Sequence, residues 1–506
     1  MNFGNTSFYN NSSYLINNSD LQENSFLRIK TGVEQRFKKV WLGGFLNLES
    51  NNGIKILTRE ALLTNHQFKE YEGYLGIGDT TKVFTKIGYN FRDNDSIRNN
   101  SFTQINNRKT YYLDAKVIQN DQTNLSLYAN YRETENRFSE NQKALNSRII
   151  YNQRLLKNFI TLGTRYETSS GNVAQQDFVY IEVEPGQGYY TWIDYNDNGV
   201  QEFDEFEIAE FQDQANFLRV PLPNLQFIAT QSAKINQSIT INASQWSAKK
   251  GLKKVLSHFY NQFFLSSNNE LKRTPNSFNL NPFNVNKEQQ ISVNFNIKNS
   301  LYFNRGLQNF STTYTFANAN NKQQYIIGSQ STETSYKQLE FQHLLGKFWL
   351  VDLQGKLSEN NLETENFNNR NYQINSYAFQ PKISYVLDTE NRFSAFYHVK
   401  DKKNKVAEFE KLKQQKIGIE YFYQGKSTTQ FNANFTTFFN DFDGNPNSPV
   451  GYQMLEGLQE GTNYTWAFLW SKKLNSYLNL NLNYKGRKSL NSKTIHTGSI
   501  NLRAIF

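Results

Sequence analysis

The sequence predicts an all-β protein, an antiparallel transmembrane β-barrel of about 22 strands (roughly 18 to 24) with one loop insertion that carries a short helix. Three observations predict it. Apolar and polar residues alternate over segments of about ten residues, the length a tilted strand needs to cross a bilayer. The 506 residues include 30 Tyr and 41 Phe, yet mean hydropathy is −0.71. A barrel reconciles the two, because its apolar residues form an outer band with aromatic girdles while its interior and loops stay polar. Finally, no run of about 18 apolar residues exists, which excludes membrane-spanning helices.

The alternation recurs along the chain. Leu125, Leu127, Ala129 and Tyr131 share one strand face, with Ser126, Tyr128, Asn130 and Arg132 on the other. The same pattern returns at Ile291, Val293, Phe295 and Ile297, at Ile417, Ile419, Tyr421 and Tyr423, and at Tyr464, Trp466, Phe468 and Trp470. Leu478, Leu480, Leu482 and Tyr484 alternate with Asn479, Asn481, Asn483 and Lys485. Short turns are expected near 36–38, 79–80, 119–122, 156–157, 236–237, 303–307, 345–346, 387–390, 425–427 and 474–476. Longer polar connections are expected near 50–65, 93–108, 134–146, 169–223, 248–289, 319–334, 359–370, 401–412, 440–461 and 488–494. Short connections on one side and long ones on the other are a barrel trait. Val255 to Leu265 reads as an extra strand or as loop. Seven of the eight prolines fall in long loops, and Pro381 marks a bulge within a strand. The organisation is therefore barrel strands over 1–168, an extracellular insertion over 169–223, and barrel strands over 224–506.

The chain ends on Ile500-Asn501-Leu502-Arg503-Ala504-Ile505-Phe506, with Ile500, Leu502, Ala504 and Phe506 on one face. It resembles the C-terminal strand of Gram-negative outer-membrane barrels. The resemblance implies that the assembly machinery reads the strand ending at Phe506, that the long connections lie outside the cell, and that outer-membrane lipid surrounds the wall. The first residues, Met1-Asn2-Phe3-Gly4-Asn5-Thr6, have neither a basic start nor an apolar core. The chain then reads as the C-terminal portion of a longer exported protein, with a soluble cytoplasmic protein as the alternative.

One segment carries a chemical pattern. Asp194-Tyr195-Asn196-Asp197-Asn198-Gly199-Val200-Gln201-Glu202-Phe203-Asp204-Glu205 fits the calcium-loop signature D-x-[DN]-x-[DN]-G-x5-E. Asp194, Asn196 and Asn198 supply alternate oxygens, and Gly199 permits the sharp turn. Val200 offers a carbonyl, Glu202 binds through water, and Glu205 closes the shell. No helix precedes the loop, so it is an isolated site with expected affinity of roughly 10⁻⁴ to 10⁻³ M for Ca2+ and a structural role. Phe206 to Leu218 reads as the short helix, from Phe206, Ala209, Phe211 and Ala215. The alternative is a metal-free Asx-rich turn capping that helix.

Other chemistry is not encoded. Cysteine is absent and the five histidines are scattered without metal-ligand spacing. No nucleophile elbow or phosphate loop is present, and an enzyme is not expected. Gly73, Gly76 and Gly78 read as glycines in a curved strand. The net charge of +10 comes from 55 basic and 45 acidic residues, spread through the chain apart from Lys249, Lys250, Lys253 and Lys254 and the run at 400–405. This is too diffuse for a nucleic-acid partner.

Trp192 through Glu207, continuing from Asp213 to Val220, is similar to an insertion in large, poorly characterised outer-membrane barrels of Asn/Lys-rich Gram-negative bacteria. Tyr452 to Leu458, Tyr484 to Ser489, His496 and Leu502 to Phe506 share the resemblance. It implies an envelope barrel acting in transport, translocation or as an assembly scaffold, with envelope proteins as partners. Two alternatives stay open: the barrel of an energised, TonB-type nutrient transporter whose plug precedes Met1, and a soluble secreted β-rich protein that binds glycans.

Overall fold

The computed structural model describes residues 2–504 except 176–177, 223–225, 274–277, 284–285, 287, 308, 389, 426–428, 476 and 491. Ile505 and Phe506, the end of the expected assembly signal, lie outside the described residues. The protein is all-β, with a large antiparallel sheet. No described helix is long and apolar enough to cross a membrane. The chain divides into two compact units.

The first unit comprises Met1–Val173, Ile228–Ile239 and Ser266–Gln290. After the two-residue β1 (Asn2–Phe3) it runs as a meander: β2 (Thr6–Asn18), β3 (Gln22–Phe37), β4 (Val40–Lys55), β5 (His66–Gly78), β6 (Phe84–Arg98), β7 (Ser101–Gln119), β8 (Thr123–Asn136), β9 (Gln142–Leu155) and β10 (Ile160–Gln175). From β2 to β10, each strand pairs antiparallel with the next. Register puts Leu42, Leu75, Ile87, Leu113 and Ala129 in one cross-strand row on the apolar face. The other face is a polar network in which Glu70 accepts from Asn47 and Asn90 at 2.8 and 2.9 Å, and Tyr74 donates to Glu34 at 3.0 Å. The Tyr112 ring fills the space a Cβ on Gly88 would need, 2.3 Å from its Cζ, so only glycine lets that ring lie flat across the neighbouring strand.

The second unit comprises Ala174–Phe227, Thr240–Leu265 and Ile291–Phe506. It opens with four short strands, β11 (Phe178–Glu182), β12 (Tyr190–Trp192), β13 (Phe206–Ile208) and β14 (Phe217–Pro221), which form their own small sheet. β15 (Gln226–Asn242), α1 (Leu252–Leu256) and β16 (Phe259–Lys272) follow, β15 and β16 having residues in both units. A second meander completes the chain: β17 (Gln290–Phe303), β18 (Phe310–Tyr325), β19 (Gly328–Leu345), β20 (Trp349–Thr364), β21 (Tyr372–Val386), β22 (Asn391–Asn404), β23 (Lys411–Gln424), β24 (Thr429–Asp443), α2 (Pro449–Leu455), β25 (Gly461–Lys473), β26 (Leu478–Ser489) and β27 (Ile495–Ala504). Twenty-two of the described strands have ten residues or more.

The two faces of this second meander differ sharply. On β20 the apolar face shows Trp349, Val351, Leu353, Gly355 and Leu357, opposite Tyr385, Ile383, Pro381, Phe379 and Tyr377 of β21. Trp349 to Leu357 covers roughly 26 Å of strand. A cross-strand row of Trp349, Tyr385, Phe393 and Tyr421 edges the band, with Phe393 stacked on Tyr421 at 4.5 Å. Trp349 is 47% and Phe379 52% exposed, more apolar surface than a water-facing sheet displays without a partner. The opposite face carries Gln354, Lys356, Lys382, Gln414, Glu420 and Asn440, cross-linked by pairs such as Lys382 with Glu420 and Gln414 with Asn440.

Several sequence-based expectations are corrected. The 93–108 and 319–334 connections are hairpins closed by two-residue turns, not loops, because β6–β7 and β18–β19 continue pairing to Arg98–Ser101 and Tyr325–Gly328. The turn expected at 236–237 is absent, since β15 runs through it and Asn236 and Gln237 are bonded to Ser266 and Thr164 on neighbouring strands. Phe206 to Leu218 is not helical. It forms β13, a single 3₁₀ turn at Gln212–Gln214 and the start of β14. Pro381 makes no bulge: the register is the same on either side of it, Phe379 with Val399 and Lys382 with Phe396. Having no N–H, proline drops out of the ladder without adding a residue.

Candidate functional site

The chemistry-bearing side chains of the second unit gather on its polar face, where the small sheet of β11–β14 and helix α2 meet the long strands. The small sheet is held by an aromatic core. Tyr180 stacks on Phe206 at 3.9 Å, and Phe206 meets Phe217 edge-on at 5.1 Å. Burial pushes the Tyr180 hydroxyl up to about 12. Arg219 lies over the rings of Phe178 and Tyr325.

The calcium-patterned residues form a tight turn between β12 and β13. Asp194 accepts the amides of Asn198 and Gly199 at 3.2 and 2.7 Å, Asn196 accepts that of Asn198 at 3.0 Å, and Asn198 accepts that of Val200 at 2.6 Å. Gly199 takes φ +71° and Asp197 φ +56°. Asn196 donates to Glu202 at 2.8 Å. Glu205 goes elsewhere. It is 2% exposed and accepts the Trp192 indole N–H at 2.8 Å and the amides of Tyr195 and Glu202 at 3.3 Å. The structure thus brings Asp194, Asn196 and Asn198 together around one turn, while Glu205 pins the turn to β12. Among the described residues, no three His, Cys, Asp or Glu side chains are gathered to hold a metal.

Two ion pairs fasten the insertion to the long strands. Arg370, between β20 and β21, meets the buried Glu207 at 2.8 Å. Burial drives the Glu207 carboxyl up to about 7 although Arg370 opposes the shift. Arg487 on β26 grips both oxygens of Asp213, one at 2.7 Å, and lies 4.1 Å from the centre of the Phe211 ring. Tyr452 of α2 adds a third contact, accepting from the Glu210 amide at 3.1 Å and donating to the Ile208 carbonyl at 3.3 Å.

Helix α2 is built from local signals the sequence reading passed over. Ser448 caps it by accepting the Gly451 amide at 3.0 Å, Pro449 occupies the first turn, and Glu456 ends it in the left-handed region at φ +57°. Its Val450, Met454 and Leu455 pack against Ile374, Leu412 and Phe442. At its end, Glu456 receives three ammonium groups: Lys400 and Lys402 at 2.8 Å and Lys416 at 3.3 Å. Burial pushes the Glu456 carboxyl up, but Lys402, Lys416 and Lys400 together outweigh it and hold the carboxyl well below the usual range. Lys402 also donates to the Met454 carbonyl at 2.7 Å. The charge run at 400–405 gave half of this site. The partner carboxylate, 54 residues from Lys402 in sequence, left no sequence signal.

No family model matches the chain, and no curated protein matches it. Among solved structures, it is similar to the FrpB iron transporter from Neisseria meningitidis (F3-3 variant), at 9% identity and a TM-score of 0.37, over 99% of this chain and 81% of that one. The copper transporter OprC gives 9% identity and 0.33 over 96% and 75%. A mutant of the ferric enterobactin receptor PfeA from Pseudomonas aeruginosa gives 9% and 0.35 over 95% and 74%. At these scores the likeness carries neither fold nor activity to this chain.

Proposed function

We propose that the chain is the wall of an outer-membrane β-barrel that moves a solute or a polypeptide across that membrane, its small sheet and α2 packed against the polar face of the long strands. The observation that carries the reading is the two-faced sheet: an aromatic-edged apolar band about nine residues tall against a face of paired polar groups. Lipid supplies the partner such a band needs, and closure satisfies the edge N–H and C=O groups that an open sheet would leave bare. The twenty-two long strands among the described residues also suit the plugged outer-membrane transporters, which favours the energised-transporter reading over an assembly scaffold.

Fractionation of the native gene product with heated and unheated gel mobility tests this. Outer-membrane recovery with faster migration when unheated supports a closed wall. A soluble protein of unchanged mobility refutes it. Conductance in planar bilayers then separates an open lumen from a plugged one.

We further propose that Asp194, Asn196, Asn198 and the Val200 carbonyl take Ca2+ weakly, with Glu202 through water. Glu205 would join only by leaving its buried partners, which limits affinity to roughly 10⁻⁴ to 10⁻³ M. Terbium luminescence sensitised by Trp192, and its displacement by calcium, tests it.

A further inference from the structure

A cavity of about 470 Å³ lies on the polar face of the second unit, between insertion residues 210–213 and strands β24–β27. We infer that it is a binding site for a neutral, polyhydroxylated ligand about the size of a disaccharide. Three features point there. The volume falls within the range of small-molecule clefts. Its wall carries Asn434, Thr465, Asn483, Thr497 and Ser499, and among the described residues none of these side chains has a hydrogen-bond partner. Elsewhere on this face such groups do find partners, Gln414 donating to Asn440 at 3.0 Å and Ser384 meeting Ser394 at 2.9 Å. Amides and hydroxyls left uncommitted in a recess are paired by whatever fills it. Being both donors and acceptors, they match hydroxyl groups rather than a point charge.

Electrostatics narrows the class. The strongest cation in the wall, Arg487, is already neutralised by both oxygens of Asp213. Of the charged groups that remain, Lys485 and Glu210 are opposite in sign, so the cavity has no net charge to recruit an anion or a cation. Arg487 lying over Phe211 makes one flat side, against which the C–H face of a sugar ring can pack. The site is built from the second unit alone and does not depend on closure of the wall.

The test is saturation-transfer NMR of the full chain in a zwitterionic, sugar-free detergent, with maltose, cellobiose and maltotriose as probes and glucuronate and lysine as charged controls. The neutral saccharides should receive saturation and the controls should not. Asn483→Ala with Thr497→Ala should weaken binding about tenfold for the lost hydrogen bonds. Among the described residues neither side chain has a hydrogen-bond partner, so the fold should survive, and Thr465→Val with Ser499→Ala is a second, independent variant. Heat-modifiable mobility, read on each sample, reports the wall separately. No transfer to any neutral saccharide, transfer to the charged controls alone, or undiminished transfer in both variants would each overturn the assignment.

Discussion

Glu456→Gln removes the one carboxylate shared by three lysines while keeping the size of the side chain. The lysines differ in how easily water can take over: Lys400 is 23%, Lys416 19% and Lys402 only 7% exposed. Each contact at about 4 Å is worth roughly 4 kcal/mol gross at an effective dielectric constant near 20. Repulsion among the lysines and the desolvation of Glu456 offset much of that sum. Breaking a buried pair costs about 3–5 kcal/mol, and with Glu456 still 29% exposed the low end applies. A cost of about 3 kcal/mol corresponds to roughly a hundredfold change in a local opening equilibrium. Hydrogen exchange over 449–457, measured by mass spectrometry, should therefore lose about two decades of protection. Adding Lys402→Met should restore part of it by removing the most buried ammonium left without a carboxylate, a gain reduced by the lost bond to the Met454 carbonyl. The sign with pH follows from the lowered carboxyl. The stabilisation is present above the ordinary carboxylate range and fades only as pH falls far below it, so wild type and variant should still differ at pH 5. A loss of less than threefold, or no recovery in the double variant, would refute the idea that the lysines anchor α2 through Glu456.

Met454→Ala should cost about 2–5 kcal/mol, because Met454 is fully buried and little around it can relax; the midpoint of urea unfolding in micelles reads it. Glu205→Ala should expose the insertion to proteolysis with or without calcium, since it strips the acceptor from the Trp192 indole and two amides; full rescue by millimolar calcium would contradict this. Burial raises Glu207 to about 7. The stability it contributes is thus present below the ordinary carboxylate range and is lost as pH rises through about 7, and Glu207→Gln should flatten the pH dependence of insertion proteolysis between about 5 and 7. Gly486→Ala should displace the Trp466 indole, whose Cε2 lies 2.2 Å from where the new Cβ would sit, at a cost of about 1–3 kcal/mol; tryptophan emission reports it.

The apolar faces were legible because period-two alternation is imposed wherever one side of a sheet is apolar and the other polar. Ile417, Ile419 and Tyr421, and Trp466, Phe468 and Trp470, fall on the face where they were expected. The alternation ends where both faces are polar, and the reading failed there. In β6 and β7 the backbone pairing continues past a register shift between Asn94 and Asp95, with side-chain bonds from Asn94 to Asn106 at 2.8 Å and from Gln104 to Asp93 at 2.9 Å, so a polar stretch that looked like loop is strand. The insertion misled for a different reason. Phe206, Ala209, Phe211 and Ala215 sit at a spacing compatible with a helix, but Phe206 answers to Tyr180 and Phe217 within the small sheet and Phe211 to Arg487, and tertiary packing overrides local periodicity.

The polar-face site lay furthest from sequence reasoning, and its geometry says why. Its fastenings join residues 163 and 274 positions apart, Arg370 to Glu207 and Arg487 to Asp213. A strand's apolar face answers to one kind of surrounding and so repeats a common pattern. Its polar face answers to particular partners supplied by other loops, and an Arg at 487 has no local reason to be there. The insertion and the last hairpin must consequently change together. Arg487→Ala should release 210–213, open the cavity beside β25 and β26, and leave the apolar band untouched. Faster exchange confined to that segment is the expected result, and a general loss of protection across β24–β27 would show instead that Arg487 holds the long strands themselves.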